Sequence, residues 1–257
     1  MPWWMVVAAG LVGLLVGGFL TSVVWRVPRH ESVLGDGSRC PSCGRPVRGI
    51  DAVPVLSWLR LRGRCRDCGE PIPLRYPLVE VASGALFVAL AIRFGDSWEL
   101  PAFWVFGAGL LALSAIDLEH FILPNRIVYP LAAVSIALLA LAAVADGDGT
   151  ALLRAVLAGL VGFGVLLVIH LISPRGMGFG DVKLSFVLGL FLGWLGWGEL
   201  VLGLFLGFVY GAVVGMLLIA TRVRSRKDHI PFGPFLAAGA LTAVLWGTAI
   251  LDWYAGR

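Results

Sequence analysis

Two aspartates in this 257-residue sequence lie at the ends of long apolar segments, where ionisable side chains are functional candidates. Asp117 follows the apolar run 100–116, and Asp181 precedes the apolar run 182–196. Two carboxylates that share a site cannot both ionise cheaply, so one of them keeps its proton near neutral pH. The ionised carboxylate can deprotonate a water while the protonated one donates to a carbonyl oxygen. This pair therefore predicts the chemistry of an aspartic peptidase.

Glycines surround the second aspartate more densely than an ordinary helix cap requires. Three of them fall within the five residues 176–180. Glycine has no Cβ atom, so it lets backbone or substrate approach closely. We therefore expect Gly178, Gly180 and the neighbouring Lys183 to support the site around Asp181. The alternative is that Asp181 is the N-cap of the next helix and that Asp117 is an interfacial residue ending a helix.

Three further ionisable residues are weaker candidates. Glu119 and His120 lie close to Asp117 and are alternative acid–base residues, although their proximity to water favours a place in a solvated loop. His170 lies within an apolar run, and we expect it to make a polar contact in the core.

All four cysteines fall in one polar segment, as two CxxC pairs. Cys40 and Cys43 are separated by 21 residues from Cys65 and Cys68. This spacing suits tetrahedral Zn²⁺ with four thiolate ligands, which closes the coordination shell and leaves no position for catalysis. The segment has few large apolar residues, so a metal would supply folding energy. A redox role is the alternative, and structural disulfides are disfavoured in a reducing cytoplasm.

The composition places these candidates in a membrane. The chain is 59% hydrophobic and 14% charged, and it contains 34 glycines. Soluble domains are about 45–50% apolar, so a soluble globular protein, a disordered chain and a small disulfide scaffold are excluded. Long apolar runs recur along the whole chain, which also excludes a single-span anchor. The expected fold class is an all-α polytopic membrane protein with about eight transmembrane helices and a small cytoplasmic zinc-binding loop.

The basic residues predict the orientation of these spans. The spans are 3–25, 77–94, 100–116, 127–145, 151–172, 182–196, 198–220 and 234–254. Alternate loops, at 26–76, 117–126, 173–181 and 221–233, hold 17 of the 20 Lys and Arg when Lys183 is counted with them. Positive residues mark the cytoplasmic side, so both termini are expected to face outward. Both aspartates then lie at the cytoplasmic edge. The net charge of +4 reflects this topology, and no nucleic-acid partner is expected.

Composition divides the chain into three predicted parts. Residues 1–25 form a first transmembrane helix, 26–76 a cytoplasmic four-cysteine zinc loop, and 77–257 a seven-helix membrane peptidase core. The basic loop is expected to contact anionic membrane lipid.

An ordered set of segments resembles the bacterial type IV prepilin peptidases, a family of GxGD-type membrane aspartic peptidases. The tetrapeptide GxGD is a weak signal alone, but the set covers essentially the whole chain and is specific. The matching segments are 18–28 in the first span, the paired CxxC, 54–65, 75–80, Asp117 with 123–125, 178–184, and 230–235 before the last span.

The resemblance implies a function for this chain in the bacterial inner membrane. Asp117 and Asp181 would cleave the short basic leader of a type IV prepilin or pseudopilin at the cytoplasmic face, for a type IV pilus or a type II secretion system. The substrate's transmembrane segment would lie in the bilayer. Family members with the cysteine segment commonly also N-methylate the new amino terminus with S-adenosylmethionine. Gly63 and Arg64 match a position linked to that second activity.

Two alternatives belong to other functional classes. An ion-coupled transporter would use the same aspartates as a proton or cation pathway, and it predicts an internal repeat that the sequence does not display. A membrane scaffold would use the zinc loop as a docking module and would depend on neither aspartate.

Overall fold

The computed structural model describes residues 2–33, 39–40, 42–174, 176–223 and 230–256. The predicted loops 26–76, 173–181 and 221–233 each contain residues outside this description. Within the described residues the structure is helical, without β-strands. The helices are α1 Trp3–Arg26, α2 Leu56–Arg60, α3 Arg75–Phe94, α4 Leu100–His120, α5 Asn125–Asp146, α6 Gly149–Ile172, α7 Phe179–Leu195, α8 Trp197–Ala220 and α9 Gly233–Tyr254.

The chain forms two compact units, Met1–Asp96 and Ser97–Arg257. The first unit contains α1, the four-cysteine segment and α3, and the second contains α4 to α9. The division predicted after residue 76 follows composition and stays a prediction. The compact units divide further along the chain because α3 packs against α1.

Small residues let α1 and α3 pack closely in the first unit. A Cβ atom on Gly13 would lie 2.8 Å from the Cα of Gly84, and one on Gly17 would lie 2.6 Å from the Cα of Glu80. The paired residue numbers rise along α1 as they fall along α3, so the two helices are antiparallel. Close backbone approach at small residues is the usual way that membrane helices associate.

The second unit repeats this arrangement in two further antiparallel pairs, α6 with α7 and α8 with α9. A Cβ atom on Gly189 of α7 would lie 2.5 Å from the carbonyl oxygen of Ala158 on α6. A Cβ atom on Gly239 of α9 would lie 2.3 Å from the backbone nitrogen of Gly207 on α8. Glycine therefore sets how closely these helices approach.

Helix α7 lies at the centre of the second unit. Twelve of its 17 residues are buried. Phe191 of α7 stacks on Phe106 of α4, with ring centroids 4.1 Å apart, and meets Phe103 at 5.0 Å. These contacts with protein replace contacts with lipid along most of the helix.

The number of membrane-crossing helices agrees with the sequence-based expectation of about eight. Seven described helices are long and apolar enough to cross a bilayer. The eighth predicted span corresponds to α7, whose 17 residues extend about 26 Å at 1.5 Å per residue. A helix enclosed by neighbours does not need the full length of a lipid-exposed span.

The C-terminus of α7 is capped by an arginine from the neighbouring helix. Arg154 of α6 donates from Nε to the carbonyl oxygen of Gly193 at 2.7 Å and from Nη2 to that of Trp194 at 2.6 Å. The last carbonyls of a helix lack intrahelical partners and carry partial negative charge, so a guanidinium stabilises them. This contact accounts for one of the basic residues outside the predicted cytoplasmic loops.

The close α6–α7 contact predicts a strong effect on stability. We expect Gly189→Ala to lower the free energy of unfolding by about 1–3 kcal/mol, because its methyl group would overlap the backbone of α6. Gly164→Ala is the matched control, since a Cβ atom there has no neighbour within 4 Å. Thermal unfolding of the detergent-solubilised variants measures the difference. Equal stability of the two variants would contradict the contact.

Candidate functional site

Asp117 lies in the last turn of α4, with its side chain turned into the second unit. The helix continues to His120, and Phe121 follows it with a left-handed φ of 56°. Only 5% of Asp117 is exposed, and its Oδ2 accepts a hydrogen bond of 3.1 Å from the backbone N–H of Gly233. Asp117 is therefore not an exposed interfacial residue.

The donor to Asp117 comes from the start of α9. Gly233 is the first residue of that helix, and Pro234 follows it. The first N–H groups of a helix have no intrahelical acceptor and carry partial positive charge, so they favour an anionic partner. The N-terminus of α9 thus supports the carboxylate of Asp117.

Asp181 lies in the first turn of α7 and is 7% exposed. The N-cap of this helix is Gly178, so the alternative interpretation of Asp181 as the N-cap is wrong. The helix begins earlier than predicted because the N–H of Asp181 donates to the carbonyl oxygen of Gly178. The Oδ1 of Asp181 is fully buried and has no hydrogen-bond partner among the described residues. A buried oxygen of this kind is costly unless water or substrate satisfies it.

Leu123, which follows α4, lies against Gly180 at the start of α7 and against Gly233 at the start of α9. A Cβ atom on Gly180 would lie 3.0 Å from the Cβ of Leu123. A Cβ atom on Gly233 would lie 3.3 Å from Leu123 Cδ2 and 2.8 Å from Asp117 Oδ2. Asp117 and Asp181 also interact electrostatically. The structure thus brings together two aspartates that are 64 residues apart in sequence.

The glycines next to Asp181 are required for space and not for unusual backbone angles. Gly178 has a φ of −70°, which any residue can adopt. A Cβ atom on it would lie 3.3 Å from Asp181 Oδ2, so a side chain would crowd the carboxylate. Gly180 packs against Leu123 in the same way. The sequence-based expectation of close approach at these positions agrees with this geometry.

Lys183 is directed towards α5. Its Nζ donates to Asn125 Oδ1 and lies 5.4 Å from the ring centroid of Phe179 and 5.8 Å from that of Tyr129. Asn125 is the first residue of α5. Lys183 therefore links the start of α7 to the start of α5.

The other three candidates have different surroundings. His170 Nδ1 lies 2.8 Å from the carbonyl oxygen of Met177 and so fixes the segment before Gly178. Its polar contact agrees with the expectation. Glu119 and His120 lie 3.9 Å apart at the end of α4, partly exposed.

The four cysteines of the first unit form one cluster. All four Sγ atoms lie within 4.8 Å of one another, and those of Cys40 and Cys68 are 3.8 Å apart. Tetrahedral Zn²⁺ with bonds of about 2.3 Å requires sulfurs about 3.8 Å apart, whereas a disulfide requires about 2.05 Å. The cluster therefore fits a four-thiolate metal centre.

The two halves of the cluster share one backbone pattern. The backbone N–H of Gly44 donates to the carbonyl oxygen of Cys40 at 2.9 Å, and that of Gly69 donates to the carbonyl oxygen of Cys65 at 3.0 Å. Both glycines have positive φ, 68° and 73°. The predicted tight turns are present, and each one turns a pair of thiols towards the same point.

The thiols of the cluster differ in acidity because their backbone hydrogen bonds, burial and sulfur contacts differ. The backbone N–H of Cys43 is the main cause that lowers the pKa of Cys40 to about 7. For Cys68, a backbone hydrogen bond at Glu70 acts to lower the pKa. Burial and the contacts with the other sulfurs outweigh this effect and raise the pKa of Cys68 to about 12. A divalent cation would favour the thiolate form of all four.

Gly63 and Arg64, the candidates linked to methylation, have separate roles in the fold. Gly63 has a φ of 67°, and a Cβ atom on it would lie 2.8 Å from the ring of Trp58. Any side chain at this position would displace that ring. Arg64 is exposed and pairs with Pro71 through an isolated backbone bridge.

Comparisons with known proteins agree with this arrangement. Residues 11–94 match the bacterial peptidase A24 N-terminal domain, and residues 104–216 match the type IV leader peptidase family. The chain is 34% identical to a prepilin leader peptidase/N-methyltransferase of Aeromonas hydrophila, over 99% of this chain and 95% of the relative. Relatives of the same name from Stutzerimonas stutzeri and Bacillus subtilis are 36% and 34% identical, over 97% and 95% of this chain and 93% and 95% of the relatives. No solved structure matches the chain.

The chain is a multi-pass membrane peptidase, and it belongs to the type IV leader peptidase family. The resemblance found in the sequence is therefore confirmed. The comparisons favour neither the transporter nor the scaffold alternative.

Sequence reasoning gave no role to two residues of this site. Gly233 donates to Asp117, and Leu123 lies against Gly180 and Gly233, so these contacts arise only in the tertiary structure. In the sequence both residues belong to matching segments, 123–125 and 230–235, without an assigned role. The Gly-Pro start of α9 is a further signal, because proline is common in the first turn of a helix.

The contact between Gly233 and Asp117 predicts that a substitution at Gly233 lowers peptidase activity even though both aspartates are still present. We expect Gly233→Ala to lower the rate of peptide cleavage about tenfold or more, since its methyl group would displace the Asp117 carboxylate. Gly215→Ala is the control, because a Cβ atom there meets only Ile230 Cδ1, at 3.7 Å. Cleavage rates of both variants, normalised to folded protein, give the comparison. A wild-type rate in Gly233→Ala would show that this contact does not hold Asp117.

Proposed function

We propose that this chain removes the leader peptide of type IV prepilin-like proteins and then methylates the new amino terminus with S-adenosylmethionine. The convergence of two buried aspartates in the second unit is the observation that carries the proposal. The name of these relatives, prepilin leader peptidase/N-methyltransferase, supports both activities.

In the proposed cleavage, Asp117 and Asp181 share one proton and hold a water between them. The ionised carboxylate takes a proton from this water while the water oxygen attacks the scissile carbonyl carbon. The protonated carboxylate donates to the carbonyl oxygen, which forms a neutral tetrahedral intermediate. Collapse of this intermediate breaks the C–N bond, and the leaving nitrogen takes up the proton that came from the water. At the same time one hydroxyl of the intermediate returns its proton to the carboxylate that had donated it, so the shared proton is restored.

The surroundings of each aspartate suit a different part of this cycle. The Oδ2 of Asp117 is held by the N–H of Gly233, which fixes the direction of the carboxyl group. The buried Oδ1 of Asp181 lacks a partner among the described residues, so it is available to the water or the substrate carbonyl.

We also propose that the site faces the cytoplasm in the inner membrane. The predicted cytoplasmic loops carry most of the Lys and Arg, and such residues stay on the cytoplasmic side. A prepilin has a charged leader and an apolar helix. Its cleavage point therefore lies at the interface, and we place Asp117 and Asp181 at the same depth. Membrane lipid would surround both enzyme and substrate.

For the metal, we propose structural Zn²⁺ held by Cys40, Cys43, Cys65 and Cys68. A zinc ion bound by four thiolates has no open position, so it would stabilise the first unit and take no part in cleavage. We propose that methylation belongs to this unit.

The proposed dyad predicts that each aspartate is indispensable. We expect Asp117→Asn and Asp181→Asn each to lower leader cleavage by about 10²–10⁴-fold or more, because an amide cannot transfer the proton. Asp146→Asn, at the exposed end of α5, is the matched control. The mass of a type IV prepilin incubated with membranes of each variant reports release of the leader. Persistent cleavage in either dyad variant would falsify the proposal.

The cysteine cluster predicts about one zinc per purified chain. Cys65→Ser with Cys68→Ser should lose the metal and lower the stability of the first unit, because two of four ligands disappear. Ser42→Ala, between the cysteines of the other pair, should keep it. Elemental analysis together with limited proteolysis gives both readouts. A fully folded wild-type unit that contains no metal would reject the zinc assignment.

A further inference from the structure

The first unit contains a cleft that the proposed cleavage does not use. Its volume is about 690 Å³, which is typical of small-molecule sites. Parts of α1, the four-cysteine segment and the first turns of α3 line it. Its lining includes the aromatic residues Trp25, Trp58 and Tyr76 and the carboxylate of Glu80.

The backbone beside this cleft is strained at Val55. This residue has φ 62° and ψ −52°, and the N–H of Leu56 donates to the carbonyl oxygen of Pro54 at 2.6 Å. These values describe a classic γ-turn, which is rare and strained, here at a β-branched residue. Strain of this kind clusters at active sites and ligand clamps.

A carboxylate from the membrane helix holds this turn in place. Glu80 Oε2 accepts the N–H of Val55 at 2.7 Å. Glu80 lies in the second turn of α3, a helix apolar enough to cross a membrane, where an acidic residue is a functional candidate. The α1 helix passes close by because Gly17 and Gly18 have no side chains there. The close packing of α1 and α3 therefore places the Glu80 carboxylate at the cleft.

The ring of Trp58 is fixed as one wall of the cleft. Its Nε1–H donates to the carbonyl oxygen of Ile72 at 3.1 Å. Gly63 lies against the ring, with a positive φ, so the ring has no freedom on that side. This contact gives a physical reason for Gly63 to affect a ligand that binds beside Trp58, although Gly63 does not itself line the cleft.

We propose that this cleft binds S-adenosylmethionine, with the Glu80 carboxylate facing its sulfonium and Trp58 forming an aromatic wall, an inference that rests on the methylation proposed above. The sulfonium is a cation with apolar substituents. Carboxylates attract such a group by charge, and aromatic faces attract it through the ring quadrupole. The cleft presents both.

The proposed transfer is a single displacement. The neutral amine at the new amino terminus attacks the methyl carbon with its lone pair, and the carbon–sulfur bond breaks. The sulfur keeps the electron pair of that bond and becomes a neutral thioether, S-adenosylhomocysteine. The methylated nitrogen then releases one proton to solvent.

A substitution of the carboxylate tests this site in the full-length enzyme. We expect Glu80→Gln to raise the KM for S-adenosylmethionine about tenfold or more, since a charged contact becomes neutral. Ser22→Phe, on the α1 wall of the cleft, should have the same effect by occupying space. Glu31→Gln, in an exposed position outside the cleft lining, is the matched control and should keep the wild-type KM. Methyl-labelled S-adenosylmethionine and cleaved prepilin provide the assay, and binding of S-adenosylhomocysteine is measured separately.

Leader cleavage and metal content in the same samples report folding, because a misfolded variant would lose both. A raised donor KM in folded Glu80→Gln and Ser22→Phe supports the cleft. Unchanged donor KM in both, with methylation intact, overturns the cleft and leaves the proposed function in place. A wild-type enzyme that cleaves prepilin but neither binds the donor nor methylates would overturn the proposed methylation, and the cleft with it.

Discussion

The burial of two carboxylates in an apolar bundle is the constraint on which the second unit depends. An ionised group in such surroundings is tolerated only when specific dipoles or partners support it. Asp117 has the N–H at the start of α9, and Asp181 lies at the start of α7, where the helix dipole favours negative charge. The positions of two helix N-termini are therefore tied to the position of the site.

That requirement explains why glycine is so abundant along these helices. The ends of several helices can meet at one small site only if the helices also pack closely along their length. Larger side chains at the helix–helix contacts would force the helices apart. Gly189 against Ala158 and Gly239 against Gly207 are examples far from the carboxylates. The same packing buries α7, so the helix that carries Asp181 is also the one least exposed to lipid.

The polar segment of the first unit is stabilised in a different way from the helices of the second unit. This segment has few large apolar side chains, so its order depends on the sulfur cluster and on local contacts. Arg66 donates to both oxygens of Asp51, and Arg45 pairs with Asp67, so charged residues also link its turns. The arginine hydrogen bond is the main cause that lowers the pKa of Asp51. The cysteine cluster, ion pairs and a membrane helix together hold a cleft that a small apolar core would not support.

Sequence alone predicted what depends on local pattern. Apolar run length located the eight long helices, the CxxC spacing predicted the sulfur cluster, and the flanking glycines singled out Asp181. Gly233 and Leu123 were given no role because the contact of Gly233 with Asp117 and that of Leu123 with Gly180 form only when α4, α7 and α9 come together. Glu80 was recognised only as part of a matching segment, since its partner at Val55 is 25 residues away. The early start of α7 was missed because glycines disfavour helix, and tertiary packing overrides that preference.

The capping of α7 by Arg154 has a consequence for how the protein enters the membrane during synthesis. With 17 residues and few lipid-facing positions, α7 alone is poorly matched to a bilayer core about 30 Å thick. The carbonyl oxygens of Gly193 and Trp194 would also lack their guanidinium donor unless α6 were already present. The hairpin of α6 and α7 thus supplies these hydrogen bonds from within itself, and the ribosome delivers α6 first. Insertion of the helix that bears Asp181 must wait for its neighbour, so the order of the chain is itself part of how the site is built.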